Sequence, residues 1–206
     1  MPKVAKVKDK WKQKVWVEVL APPIFGSISV AKIPANEEQA VIGRVVPMSY
    51  YQANSEDPEN NNIKIYLQIV KVENLRAETI IKRIEYAREV YRAMIKRGTS
   101  LIEWIGDYRT SDGMDVRLHI SMFTPEKINW SRMHKIRLAI HKVLSDSVPN
   151  LTYDQLIEKL LKDKSLMNAV VEEAKKIYPV KSAILLSLKL LTISESLALQ
   201  GGMIEA

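Results

Sequence analysis

The sequence predicts an α+β protein, a largely antiparallel β-rich part followed by helical additions, and three observations carry that prediction. From Met114 the apolar residues Met114, Val116, Leu118, Ile120 and Met122 alternate with Asp115, Arg117, His119 and Ser121, a period of two that places the first set on one face of a strand. Ser111-Asp112-Gly113 just before it supplies turn chemistry, so Leu101 to Thr110 should be the antiparallel partner, with Trp104 and Tyr108 as large cross-strand contacts. Ile63, Ile65, Leu67 and Ile69 repeat the alternation in a second segment. After Thr124 the period changes: Met133, Ile136, Ile140 and Val143 recur at three and four residues, and Leu151-Thr-Tyr-Asp-Gln-Leu156 reads as a capping box with a hydrophobic staple.

Taken in order, residues 1–14 form a flexible basic arm in which Lys3, Lys6, Lys8, Lys10, Lys12 and Lys14 stand against Asp9 alone, with Trp11 embedded among them. Residues 15–192 follow as a single α+β domain with its β-rich core over 15–124. Val15 to Leu20 is a short strand closed by Ala21-Pro-Pro23, and Ser27 to Ile33 and Val41 to Met48 are further strands. Ser49 to Asn62 is an acidic surface loop. Over residues 78–97 Ile80, Ile84, Ala87, Tyr91 and Met94 recur at helical spacing with Gly98 beyond them, which predicts an amphipathic helix packed on the strands with a salt-bridged solvent face. The helical part covers 125–178: one helix opening at Thr124-Pro125, a short one at Thr152, and one from Leu166 to Tyr178 stopped by Pro179. Ile184, Leu186, Leu188 and Leu190 alternate once more, predicting a return strand over 180–192, for which a buried helix would read similarly. Residues 193–206 are a tail without a structural assignment.

A chain of 206 residues that is 47% apolar can bury a real core, which excludes disorder for most of it. It has no cysteine, hence no disulfide, thiolate metal site or cysteine nucleophile, in keeping with a reducing cytoplasm. No apolar run approaches the roughly 18 residues of a membrane span, and no apolar block of a signal peptide follows the first lysines, so no membrane association is expected. The glycines provide neither a Walker loop nor G-x-G-x-x-G. His134 and His141 lie two turns apart on one helix and lack a metal-binding pattern, and Asp112 and Asp115 flank a turn where a structural role is favoured over acid–base work. No cofactor, metal or catalytic residue is expected, and an enzyme is the least favoured class.

The net charge of +7 points instead to an anionic partner, with most of the excess in the arm. In the helix after Thr124, Arg132, Lys135 and Lys142 lie on one outer line with Arg137, His134 and His141 beside it, giving a basic exposed face.

Certain residues resemble a known family. They are Trp16, Val19, Ala21, Pro22 and Phe25; Gly43-Arg44-Val45; Thr110, Asp112, Gly113, Arg117, Leu118, Phe123 and Thr124; and Ile177-Tyr178-Pro179. In order and spacing, over nearly the whole chain, they are similar to the S-three-A-e (e-S-one) family of small-subunit ribosomal proteins, and the lack of cysteine and short tail look like an archaeal member. The sequence departs from the family pattern at Pro47 and Tyr50, at Met114, and in Ile184 to Leu191, where Lys189 is the only cation and weakens the case for RNA contact by that strand. The resemblance implies a β-barrel-like antiparallel core with a packed helix, in a cytoplasmic structural component of the small ribosomal subunit that binds rRNA as a platform scaffold in translation. Its partners would be small-subunit rRNA near the platform and 3′ region, neighbouring small-subunit proteins, and messenger RNA near the exit. Lysines of the arm would track phosphates and order on RNA, Trp11 would stack on an unpaired base, and Arg44, Arg109, Arg117, Arg132 and Arg137 would offer fixed forks beside Lys135 and Lys142. For each arginine a surface charge or an intramolecular ion pair is the equal alternative. The competing readings are a free single-strand RNA-binding or translation-associated factor and a protein-interaction adaptor with solubilising charges.

Overall fold

The strand from Asp115 to Phe123 carries the alternation that the sequence announces: Val116, Leu118, Ile120 and Met122 are fully buried and Met114 nearly so. A computed structural model describes residue 11 and residues 14–192 other than residue 56, so Lys3, Lys6, Lys8, Lys10, Lys12 and the tail after Thr192 lie outside the described residues. The strands are β1 (Val15–Leu20), β2 (Ser29–Ala35), β3 (Val45–Ser49), β4 (Ile63–Glu73), β5 (Arg76–Tyr86), β6 (Leu101–Arg109), β7 (Asp115–Phe123) and β8 (Ser182–Thr192). The α-helices are α1 (Tyr50–Ala53), α2 (Arg88–Met94), α3 (Trp130–Ser147), α4 (Tyr153–Leu161) and α5 (Ser165–Lys175).

The expected hairpin is β6–β7, paired from Leu101↔Phe123 to Arg109↔Asp115, with Gly113 at φ 76° in its turn. β8 is the return strand and runs antiparallel to β7 along its length. Beyond it β5 pairs with β8 over Arg83 to Glu85 and with β4 along nearly its whole length, and β4 pairs with β3. β5 also meets β1, in parallel, at Glu18↔Arg76 and Val19↔Ala77, and β2 flanks β1. The architecture is therefore α+β, as expected, but the eight strands form an open, mixed sheet and do not close into a barrel, and the core is not wholly antiparallel.

The helix expected over 78–97 is the main correction. Residues 76–86 are strand, and only Arg88–Met94 are helical. The cause is a β-bulge: Tyr66 faces Arg83 while Leu67 faces Ile81, which leaves Lys82 as an extra residue in β5. The bulge puts the buried pair Ile81 and Ile84 three residues apart, a spacing that mimics a helix, while the β-branched run Thr79-Ile80-Ile81 favours the pleated surface of β4. Asn74 and Leu75 join β4 to β5 at φ 49° and 64°, the left-handed pair that a two-residue type I′ turn demands. Asn-Leu hides that turn from sequence reading, because Leu seldom adopts positive φ.

The helical part has a similar correction. The helix expected at Pro125 begins at Trp130, with Asn129 as N-cap. The Thr124 hydroxyl is committed elsewhere: it accepts from the Ser100 N–H at 3.0 Å and lies 2.6 Å from the Glu126 carbonyl, to which it donates, so 124–129 runs on as a strap. The loop expected over 49–62 holds α1 and a 3-10 turn at Pro58–Asn62. α4 starts as expected, with Thr152 accepting from the Gln155 N–H and the Gln155 side chain accepting from the Thr152 N–H.

One core joins the inner sheet face to Ile136, Ile140 and Leu144 of α3, Leu156, Ile157 and Leu160 of α4, and Val170 and Ala174 of α5. A smaller cluster of Val17, Val19, Ala35, Val41, Val46, Ile69 and Ala77 fills the space around β1. Tyr153 ties the helices to the sheet: its buried hydroxyl donates to the Ile81 carbonyl at 2.7 Å, and burial raises its pKa so far that the donor keeps its proton. Tyr153→Phe strands that carbonyl and is expected to cost about 1–3 kcal/mol. Thr152→Ala is expected to cost about 1 kcal/mol through loss of the cap. Urea unfolding of both variants checks these values, with Tyr153→Phe the more harmful.

Candidate nucleic-acid interface

Four of the expected basic residues share α3. Lys135 and Lys142 are exposed two turns apart, about 10 Å along the helix, on the face opposite Ile136 and Ile140. Arg132 is exposed with its guanidinium 5.7 Å from the centre of the Tyr178 ring. Arg137 turns toward the sheet, where its Nε donates to the Glu103 carbonyl at 3.1 Å, so it serves the docking of α3 on β6.

The remaining expected residues are dispersed. Arg117 forms a two-pronged ion pair with its cross-strand neighbour Asp107, at 2.6 and 2.8 Å, and this guanidinium holds the Asp107 carboxyl below the usual range. Its fork is thereby engaged within the chain. Arg109 is exposed, 4.0 Å from Asp115. Arg44 lies before β3 with its Nη1 3.5 Å from the Pro34 carbonyl, apart from the α3 group. Trp11 is 62% exposed, and the Lys14 ammonium stands 3.9 Å from its ring centre.

Sequence reading passed over Trp130. It is 67% exposed at the first turn of α3 and stacks on His134, 5.5 Å between ring centres and 6° from parallel. The signal was present as an aromatic and a histidine four residues apart, a spacing that brings helix side chains together. The pair presents a flat ring surface of the kind on which an unpaired base stacks.

His141 has a structural place. Its ring sits 5.1 Å from that of Trp104, and its Nδ1 lies 3.2 Å from the Tyr108 hydroxyl and 3.3 Å from Ser145 Oγ. Trp104 Nε1 donates to that same hydroxyl at 2.9 Å, over the bare backbone of Gly106. A methyl at 106 would stand 2.8 Å from the Tyr108 oxygen and 3.0 Å from Trp104 Nε1. Gly106→Ala is therefore expected to cost about 1–3 kcal/mol by overpacking and to change tryptophan fluorescence as the contact opens. An unaltered spectrum and melting point would contradict this packing.

Asp112 accepts the Tyr153 N–H at 2.9 Å, a longer-range bond than the local turn contact expected of it. It lines a cavity of about 530 Å³ with Asp154, whose pKa is raised by burial and then by Asp112 and Glu158. Among the described residues no group of three or more His, Asp or Glu side chains could hold a metal ion, and no helix is long and apolar enough to cross a membrane.

On the outer sheet face His119 is largely covered. Its Nε2 lacks a hydrogen-bond partner and lies 3.7 Å from a Glu103 oxygen, and Glu103 accepts from the Tyr91 hydroxyl. Burial lowers the His119 pKa, Glu103 opposes this, and Lys189 adds to the lowering. With a lowered folded value, the unfolded chain binds the proton more readily. Stability is therefore fully present above the ordinary imidazole value of about 6.5 and is lost as pH falls toward the folded value. His119→Gln should shrink the stability difference between about pH 7.5 and about pH 5, measured by urea unfolding at both.

The described residues thus form an open α+β scaffold whose helix α3 presents a basic face and exposed rings. The Ribosomal S3Ae family matches residues 3–193, and the chain belongs to that family. It is 35% identical to the small ribosomal subunit protein eS1 of Desulfurococcus amylolyticus, over 92% of this chain and 88% of the relative. It is 36% identical to that of Staphylothermus marinus, over 91% and 87%, and 32% identical to that of Methanopyrus kandleri, over 86% and 85%.

Proposed function

We propose that the chain is a structural component of the small ribosomal subunit, working in the cytoplasm as an RNA-binding scaffold rather than as an enzyme. The observation that carries this is family membership over residues 3–193, which spans every described strand and helix. The contact with rRNA is supported by α3, where Lys135 and Lys142 face solvent and have no ion-pair partner among the described residues, with Arg132 and the Trp130–His134 stack beside them. Lysines act as point charges on phosphates, and the ring pair accepts a base, a contact worth about 1–3 kcal/mol per base. A place on the platform beside the 3′ region of the rRNA, next to other small-subunit proteins and the messenger exit, rests on the family likeness. The arm of Lys3, Lys6, Lys8, Lys10, Lys12 and Lys14 adds charge to the same role.

Sedimentation of native extract through sucrose tests the reading. The chain is expected to travel with the small subunit at low salt and to be released as salt approaches about 1 M, where the Debye length shrinks to about 3 Å. A chain that stays at the top of the gradient at low salt would be a free RNA-binding factor instead.

A further inference from the structure

The outer face of the sheet holds a second concentration of positive charge, away from α3. In register, Arg83 of β5 faces Lys189 of β8, and Lys189 faces Arg117 of β7. Three cations thus stand side by side across three adjacent strands, an arrangement that destabilises a sheet when left uncompensated. Two are compensated, Arg117 by Asp107 and Arg83 by Glu85. Lys189, between them, is exposed and has no ion-pair partner among the described residues.

Lys189 is also the wall shared by two neighbouring cavities. One, of about 430 Å³, is lined by Arg88, Arg92, His119 and Ser187, and its one acid, Glu85, is already paired with Arg83. The other, of about 310 Å³, is lined by Lys82, Arg83 and Tyr66 and has no acidic wall. Arg88 and Arg92 are four residues apart on α2, exposed, and likewise without ion-pair partners among the described residues. A pocket with two guanidinium forks, an ammonium and a hydroxyl matches the donors a phosphate takes.

We propose that this Lys189-centred pocket binds the phosphate backbone of RNA. Arg88 and Arg92 clamp one phosphate from the α2 side, Lys189 neutralises it from the sheet, and the strand of RNA continues over Lys189 toward Lys82 and Arg83. The proposal rests on the RNA-binding reading above and adds a contact surface separate from α3.

The test compares the full chain with a Lys189→Met/Arg92→Met variant, and with a Lys135→Met/Lys142→Met variant on α3, in filter binding to purified small-subunit rRNA across a salt series. Circular dichroism checks that each is folded, which the exposure of all four side chains favours. The Lys189/Arg92 variant is expected to bind about tenfold more weakly near about 0.1 M salt, and its slope of log affinity against log salt should flatten by about 0.7–0.9, the value for the one phosphate that is no longer neutralised. An unchanged slope there, alongside a flattened slope in the α3 variant, overturns the pocket while leaving the RNA-binding reading intact. A wild-type chain without salt-dependent rRNA binding overturns both. Inorganic phosphate is titrated in parallel against the His119 ring resonances. A response to it with no change of RNA slope makes the pocket a site for a free anion and overturns the backbone assignment.

Discussion

Strand β5 has two edges and three partners, and the rest of the sheet follows from how it divides them. One edge is given along nearly its whole length to β4. The other is shared, with β1 beside Arg76 and Ala77 and β8 beside Arg83 to Glu85. A strand that serves two neighbours on one edge cannot lie in a flat ladder, and the Lys82 bulge supplies the local twist such a division needs. The helices are secured to the same strand by the Tyr153 hydroxyl on the Ile81 carbonyl. Losing β5 would part the β1–β2 and β3–β4 pairs from the hairpin and its helical cover at once.

Local chemistry was readable where one signal acted alone. The β6–β7 hairpin, β4, β1, β8 and the Thr152 cap each follow from alternation, turn residues or a capping pattern, and the structure keeps them. β5 was misread because Ile80 and Ile84 stand at helical spacing, whereas the Lys82 bulge in fact turns Ile81 inward with Ile84 and the hydrogen bonds to β4 decide for a strand. The delayed start of α3 has a comparable cause, since the Thr124 hydroxyl is taken by Ser100, a residue brought close only by the hairpin.

The basic surface was half legible for the same reason. Lys135 and Lys142 are read together because helix geometry joins residues close in sequence. Arg83, Arg117 and Lys189 come together through strand register, which no spacing along the chain encodes. Counting cations per segment made Lys189 look isolated, yet it stands in the middle of the charge row. The reverse holds for Arg117 and Arg137, which look like free forks in sequence and are spent on Asp107 and on the Glu103 carbonyl. The exposed Arg117–Asp107 pair adds little to stability, being screened by solvent. Its greater effect is to decide which cations remain available to a ligand.

The position of β8 gives that row a place in time. The ribosome delivers a chain from its N-terminus, so β5 and β7 exist before β8 does. Until Ser182–Thr192 emerges, the space between β5 and β7 lacks its middle strand, and Arg83 and Arg117 have no lysine between them. The three-cation row is thus assembled only after Ser182–Thr192 has been made and has paired between β5 and β7.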